Sequence, residues 1–414
     1  MSTKGRCSNC GYTVPSMDDN RSSTTPTMIV SVFTILAVIL FIGYLAINIG
    51  LLVWSAEFII PETLAHQELE FINLIFVVIP FPIGVMHLTG QWFTLYYLFL
   101  VFSVLASLFY IFYSSRNDFP SYLKDVVKKK FEKIKEENGN TSSPILRLVT
   151  VFTALLFFSQ TYFILLELVG ISPDFPEPPD ILWQRVYSLL RASVWEEIIV
   201  RFAYIGVPMA LYGLLKGKRK SRKYLLGGFG TDENFAVYLV VISSIIFALA
   251  HLPGWDIYKM PQTLIPGFAF GYLFIKDGLH SAILLHFFWN FMNVPNDLLN
   301  IPNFENFIVL LILFWMGVGV YYTYKYLEMF ISWLQERSEI EEKKEIESQK
   351  EVEVKDHTAG VTIGYVCQSC GYNKAEYTDE GKLRCTRCGT KSDPKSPQVH
   401  QQKKLLQSGK WPPS

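Results

Sequence analysis

The stretch Glu196-Glu197-Ile198-Ile199-Val200-Arg201 places three ionisable side chains inside an otherwise apolar run, 192–215. Two more apolar runs carry histidine in the same way: Phe247-Ala248-Leu249-Ala250-His251 and His286-Phe287-Phe288-Trp289-Asn290. A charged side chain at the centre of a lipid-facing helix costs roughly 2.5–3.5 kcal/mol on insertion scales. Such groups therefore turn inward, find partners and by default mark a functional site. These segments predict a membrane-embedded protein with a polar internal site, and a polytopic membrane enzyme is the leading reading.

Composition agrees. The chain has 414 residues, 50% of them hydrophobic and only 18% charged, with a mean hydropathy of +0.25; soluble domains average about 25% charged. A formal net charge of zero hides segregation: Lys and Arg cluster at 116–135 and 216–223, acidic residues at 57–70 and 172–180. Nothing in this balance suggests a nucleic-acid partner.

Apolar runs at 27–54, 92–113, 145–170, 192–215, 235–252, 263–275, 279–294 and 304–326 read as membrane spans. The run 71–88 is interrupted by Pro80-Phe81-Pro82 and lies near the lower length limit, so it reads as a re-entrant or interfacial hairpin. Counting it as a span would put Lys128–Lys130 outside, against the rule that basic loops stay in the cytoplasm. The expected fold is an all-α polytopic bundle of about eight transmembrane helices over 27–328, with a small C-terminal zinc ribbon. Its localisation is integral and multi-pass, in the cell membrane if prokaryotic, with both termini cytoplasmic. Around the bundle lie an N-terminal segment (1–26), a charged helical linker (329–363, dense in Glu and Lys), the ribbon (364–391) and a disordered tail (392–414).

Glu197 and Arg201 are four apart, share a helix face and can pair; Glu196 is offset by about 100° and has no cation at i+4. The bland reading is a buried salt bridge with satisfied core histidines. Two histidines, an asparagine and a glutamate pair on three separate spans favour convergence on one cavity. On the topology above, that cavity falls in the outer half of the bilayer. Such a site suits water activation. Glu196 with His251 holds and deprotonates a water, while His286 and Asn290 donate to the oxyanion of a tetrahedral intermediate. The same Glu/His/His set could instead bind Zn²⁺ and lower the pKa of its water; the sequence does not choose.

With these three motifs in order on separate apolar spans, the chain resembles the family of CAAX prenyl proteases and bacteriocin-processing enzymes (CPBP, or Abi), whose hallmarks are EExxxR, FxxxH and HxxxN or HxxxD. The resemblance covers roughly residues 145–300. It implies an eight-helix intramembrane protease, described as a metalloprotease or as a metal-free glutamate enzyme. The first glutamate and the FxxxH histidine, here Glu196 and His251, would activate water. His286 and Asn290 would stabilise the oxyanion, with Glu197 and Arg201 supporting. The implied substrate is a peptide or protein at the bilayer, prenylated if the CAAX activity carries over. An extra N-terminal span and the cysteine motifs depart from the family pattern.

All six cysteines sit in the polar ends as CxxC pairs, which argues for metal over disulfides and for a reducing compartment. Cys367/Cys370 and Cys385/Cys388 are separated by 14 residues, and each pair precedes a glycine, Gly371 or Gly389. Two knuckles closing four thiolates around a structural Zn²⁺ need this arrangement. Cys7/Cys10 offers only two ligands. It is either a degenerate remnant or half of an intermolecular four-thiolate site that would make a homodimer. Two other functions compete with the protease. One is a non-catalytic scaffold or sensor recruiting partners through its zinc modules; the other is a transporter, which would expect paired repeats with broken helices that the sequence lacks.

Overall fold

Long apolar runs without internal polar breaks satisfy their own backbone hydrogen bonds as helices, the form a bilayer demands. A computed structural model describes residues 24–65, 70–76, 82–128, 143–173, 179–217, 221–230, 234–252, 255–299, 301–358 and most of 362–393. The chain divides into two compact units, Met1–Leu327 and Glu328–Ser414.

In the first unit, α1 (Thr24–Ala65) is followed by strands β1 (Glu70–Phe76) and β2 (Pro82–Leu88). Helices α2 (Gly90–Ser115), α3 (Asp118–Val127) and α4 (Pro144–Leu168) come next, then α5 (Leu182–Leu215). The series closes with α6 (Asn234–His251), α7 (Lys259–Lys276), α8 (Leu279–Asn290), α9 (Val294–Leu299) and α10 (Phe304–Thr358). Among the described residues, six helices are long and apolar enough to cross a membrane: α1, α2, α4, α5, α6 and α10 up to Ser338. The all-α polytopic architecture stands. Of the eight expected spans, the two outside this set are α7, with a lysine at each end, and α8, whose 12 residues reach only about 18 Å.

Two boundaries differ from expectation. α1 does not stop at Trp54 but runs through Glu57, Pro61 and Glu62 to Ala65. The 71–88 segment is a hairpin, as its prolines suggest, but its arms are antiparallel strands with Glu70 opposite Leu88.

Helix α8 is the hub. Every residue from 281 to 288 is buried, as expected of a helix that is apolar all round. Phe288 stacks on Phe41 of α1 with ring centroids 3.9 Å apart and meets Phe152 of α4 edge-on at 4.9 Å. Trp315 of α10 reaches the same Phe152 at 5.2 Å. Lipid is as apolar as these rings, so close packing rather than water exclusion holds the helices together. Hydroxyl pairs add to it: Thr34 with Tyr322 at 2.7 Å, and Thr150 with Tyr326 at 2.9 Å.

Helices α6 and α7 approach through small residues. Gly267 and Gly271 of α7 face Ser244 and Val240 of α6, the small-xxx-small pattern of close membrane helix pairs. A Cβ on Gly271 would lie 2.7 Å from a methyl of Val240. The far end of α7 is capped by a glycine loop, where Gly228 N–H donates to Phe274 O at 2.9 Å and Gly230 N–H to Ile275 O at 2.8 Å. An ion pair between Arg147 of α4 and Asp277 fastens the same end.

In the second unit, α10 continues through the charged residues to Thr358, and strands β3 (Thr362–Gly364), β4 (Lys374–Tyr377), β5 (Leu383–Cys385) and β6 (Lys391–Ser392) form an antiparallel sheet in sequence order. Residues 1–23, with Cys7 and Cys10, and the tail from 394 lie outside the described residues.

Replacing Gly271 by leucine should wedge α6 from α7 and cost about 1–3 kcal/mol, the usual range for overpacking. Thermal unfolding in detergent, followed by monodispersity on size exclusion, measures it, with Gly317→Leu, which meets open space, as the control.

Candidate active site and cysteine cluster

The EExxxR segment is not a plain α-helix. α5 begins and ends α-helical, but its turns at Ala192–Glu196 and Ile198–Gly206 are wound as π-helix, a local form that recurs at functional sites. Adjacent positions on a helix point apart by about 100°, which parts the two neighbouring carboxylates. Glu196 faces a cavity of about 360 Å³, while Glu197 is sealed off at 0% exposure.

Glu197 joins two helices. Its Oε1 accepts from Nδ1 of His286 on α8 at 2.9 Å, and its Oε2 lies 3.1 Å from Nε of Arg201, also at 0% exposure. That second approach is ionic rather than a directed hydrogen bond, and the Arg201 Nη atoms have no hydrogen-bond partner. Aromatic faces supply the remaining contact. The guanidinium carbon sits 5.3 Å from the ring centroid of Phe247 and 5.7 Å from that of Phe270, a cation–π arrangement strengthened by desolvation. The phenylalanine of FxxxH therefore covers the buried arginine.

His251 is the last residue of α6. Its Nδ1 lies 2.7 Å from Phe247 O, one turn back on the same helix. A carbonyl only accepts, so Nδ1 carries the proton, and neutral His251 keeps Nε2 as a free acceptor. His286 is oriented from two sides: Nδ1 donates to Glu197, and its ring stacks on Phe270 at 5.0 Å with 17° between planes. Its Nε2 lies 3.9 Å from Glu196 Oε2. Asn290 Nδ2 donates to Ser193 Oγ at 3.1 Å and to Leu189 O at 3.4 Å. In this arrangement its donors are engaged by α5.

Glu196, His251, His286 and Asn290 thus line one cavity, and Glu197 and Arg201 stand behind its wall. Phe270, Ser193, Trp255, Lys259 and Gln262 belong to the same surroundings and were not anticipated. Only the GxxxG register of α7, which carries Phe270 beside Gly271, could have pointed to one of them. Glu196, His251 and His286 do not gather three donor atoms as a metal site would need; among the described residues the four C-terminal cysteines are the group that does.

The four C-terminal cysteines do gather. Their sulfurs lie within 4.8 Å of one another, with Cys367–Cys388 at 3.5 Å and Cys370–Cys385 at 3.7 Å. A tetrahedral ion with metal–sulfur bonds of about 2.3 Å needs sulfurs about 3.8 Å apart, so the residues fit a bound metal. The fold builds this cluster from two turns. Cys367 N–H donates to Tyr372 O, Cys385 N–H donates to Thr390 O, and Gly389 N–H returns to Cys385 O with Gly389 at φ +75°. Hydrogen bonds from the Thr390 hydroxyl and backbone pull the Cys388 thiol down to about 6.

Substituting Arg201 by methionine would leave Glu197 buried with only His286 beside it. Breaking one side of a buried pair costs about 3–5 kcal/mol, so the variant should lose most of its folded yield. Glu197→Gln/Arg201→Met together should recover part of the thermal stability, because the uncompensated charge is gone.

Comparison with curated proteins and with solved structures gives no match. One family model does match, described as type II CAAX prenyl endopeptidase Rce1-like, over residues 178–292. That span holds α5 to α8 and every residue of the candidate site. The matched stretch, which carries Glu197 and Arg201, is similar to an Rce1-like domain and is flanked by further apolar helices.

Proposed function

We propose that this chain is a CAAX-type intramembrane endopeptidase that cleaves a peptide or protein substrate, prenylated near its C-terminus, by activating water without a covalent intermediate. The observation that carries the reading is the sharing of one cavity by Glu196, His251, His286 and Asn290, with His286 oriented from behind by Glu197. The domain match supplies the substrate class.

Glu196 is the carboxylate open to the cavity and acts as general base. Water gives its proton to Glu196 while its oxygen attacks the scissile carbonyl. His251 Nε2 accepts the second water hydrogen and fixes the nucleophile, because its Nδ1–H is committed to Phe247 O. His286, held by Nδ1–H donation to Glu197, turns Nε2 toward the developing oxyanion and donates to it when the ring carries both protons. Asn290 joins by exchanging its long 3.4 Å bond to Leu189 O for the developing oxyanion. Collapse of the intermediate breaks the C–N bond as Glu196 returns the proton to the leaving nitrogen. Products are a new carboxylic acid and an amine, and the acid proton then passes to the amine, leaving carboxylate and ammonium.

In the second unit, Cys367, Cys370, Cys385 and Cys388 hold a structural Zn²⁺. Four cysteine ligands saturate such an ion, so it shapes the module and takes no part in hydrolysis. The scaffold reading gains no support from the site geometry or the family match.

Glu196→Ala and His251→Ala should each reduce cleavage of a prenylated peptide by roughly 10²–10⁴-fold while the protein remains folded. Mass spectrometry of products from reconstituted protein measures this, and normal turnover in either variant removes the assignment. Metal analysis should find one zinc per chain in the wild type. Cys367→Ser should lose that zinc and still cleave; full zinc retention in this variant would overturn the four-thiolate site.

A further inference from the structure

Among the described residues, Lys259 carries the one ammonium on the wall of the active-site cavity, and the mechanism above leaves it unused. It is half-buried, and its Nζ sits 3.8 Å from the ring centroid of Trp255. Among the described residues no carboxylate forms an ion pair with it, though Glu196 is near enough for the charges to interact. An ammonium offers three donors and no acceptor, and the Trp255 ring holds it in place without using them. Three residues on, and so on the same helix face, Gln262 also lines the cavity. Its Nε2 donates to Ser159 Oγ at 3.2 Å, while its Oε1 is buried without a hydrogen-bond partner among the described residues.

A fixed cation beside an unused buried carbonyl is complementary to a group carrying a negative charge and an N–H close together. The free C-terminal residue of a polypeptide is such a group. We propose that Lys259 and Gln262 form the subsite for the substrate's C-terminus: Lys259 binds the carboxylate, and Gln262 Oε1 accepts the N–H of the terminal residue. The inference rests on the endopeptidase reading and deepens it. In a C-a-a-X chain the prenylated cysteine is three residues from the carboxylate. That span is about 10 Å when extended, so one cavity can hold the cysteine-proximal bond and the terminus together.

The test reads binding apart from turnover. Full-length Glu196→Gln protein in nanodiscs is titrated with a fluorescent prenylated peptide ending either in a free acid or in a carboxamide, and anisotropy is followed. The acid should bind tighter by about tenfold or more, the range expected of a charge-assisted hydrogen bond. Adding Lys259→Met should bring the acid-to-amide ratio near one, and Lys259→Arg should restore it. Adding Gln262→Leu should erase the advantage of the acid over its counterpart N-methylated at the terminal residue. A ratio unchanged by Lys259→Met, or equal weakening of acid and amide, would overturn the subsite, since a merely structural lysine acts on both alike. Wild-type cleavage is run alongside. Acid-selective binding with no cleavage would overturn the protease reading and leave the subsite standing. Cleavage with no acid preference would do the reverse, and no binding of either peptide would overturn both.

Discussion

The carboxylate of Glu197 is the point on which the site depends. It is shut away from water and lipid, and it is shared between Arg201 on its own helix and His286 on α8. A buried carboxylate without partners would cost several kcal/mol, so the bundle is stable only when α5 and α8 are in the register that brings those partners together. The arginine is as demanding as the glutamate. It is accommodated because α6 and α7 each present a phenylalanine face to it. One buried ion pair thereby ties together four helices, and these are the four that carry the cavity.

Adjacent glutamates in one helix acquire different duties through environment alone, a recurring way of separating the roles of paired acids. The rotation between adjacent positions of α5 leaves Glu196 on the cavity and Glu197 behind it. The histidines are separated in the same manner. Nδ1 of His251 faces a backbone carbonyl, whereas Nδ1 of His286 faces the carboxylate of Glu197. Close approach of α6 and α7 at Gly267 and Gly271 completes the arrangement, because it sets how far His251 stands from the wall that Phe270 and Lys259 share.

The polytopic fold, the motif residues and the four-thiol cluster were legible in the sequence because each rests on a strong local signal. Charge inside an apolar run is costly enough to be conspicuous, and CxxC spacing is nearly self-describing. Other features were out of reach. Period-based reading assumes a turn of 3.6 residues, so it set Glu196 apart from Glu197 but could not foresee the π turns on either side of Glu197. Length alone could not show that α1 passes Pro61 and its two glutamates, since a helix leaving the bilayer can continue in water. The strands of the 70–88 hairpin were hidden because proline breaks a helix without specifying what replaces it. Lys259 and Gln262 sit near a helix start, where polar residues are ordinary, and only the cavity shows what they face.

The open charges of the cavity give it a direction. Glu197 and Arg201 compensate each other out of contact with substrate, leaving Glu196 as the carboxylate and Lys259 as the ammonium on the wall. An extended peptide is itself polar end to end, with its free carboxylate at one terminus only. Placing that terminus on Lys259 moves the preceding backbone toward Glu196, whereas the reversed orientation would set like charges together at Glu196. On the proposed reading the same two side chains would therefore also select the chain direction, so that an internal bond near the C-terminus, rather than a bond near the N-terminus, would be carried to the water at Glu196.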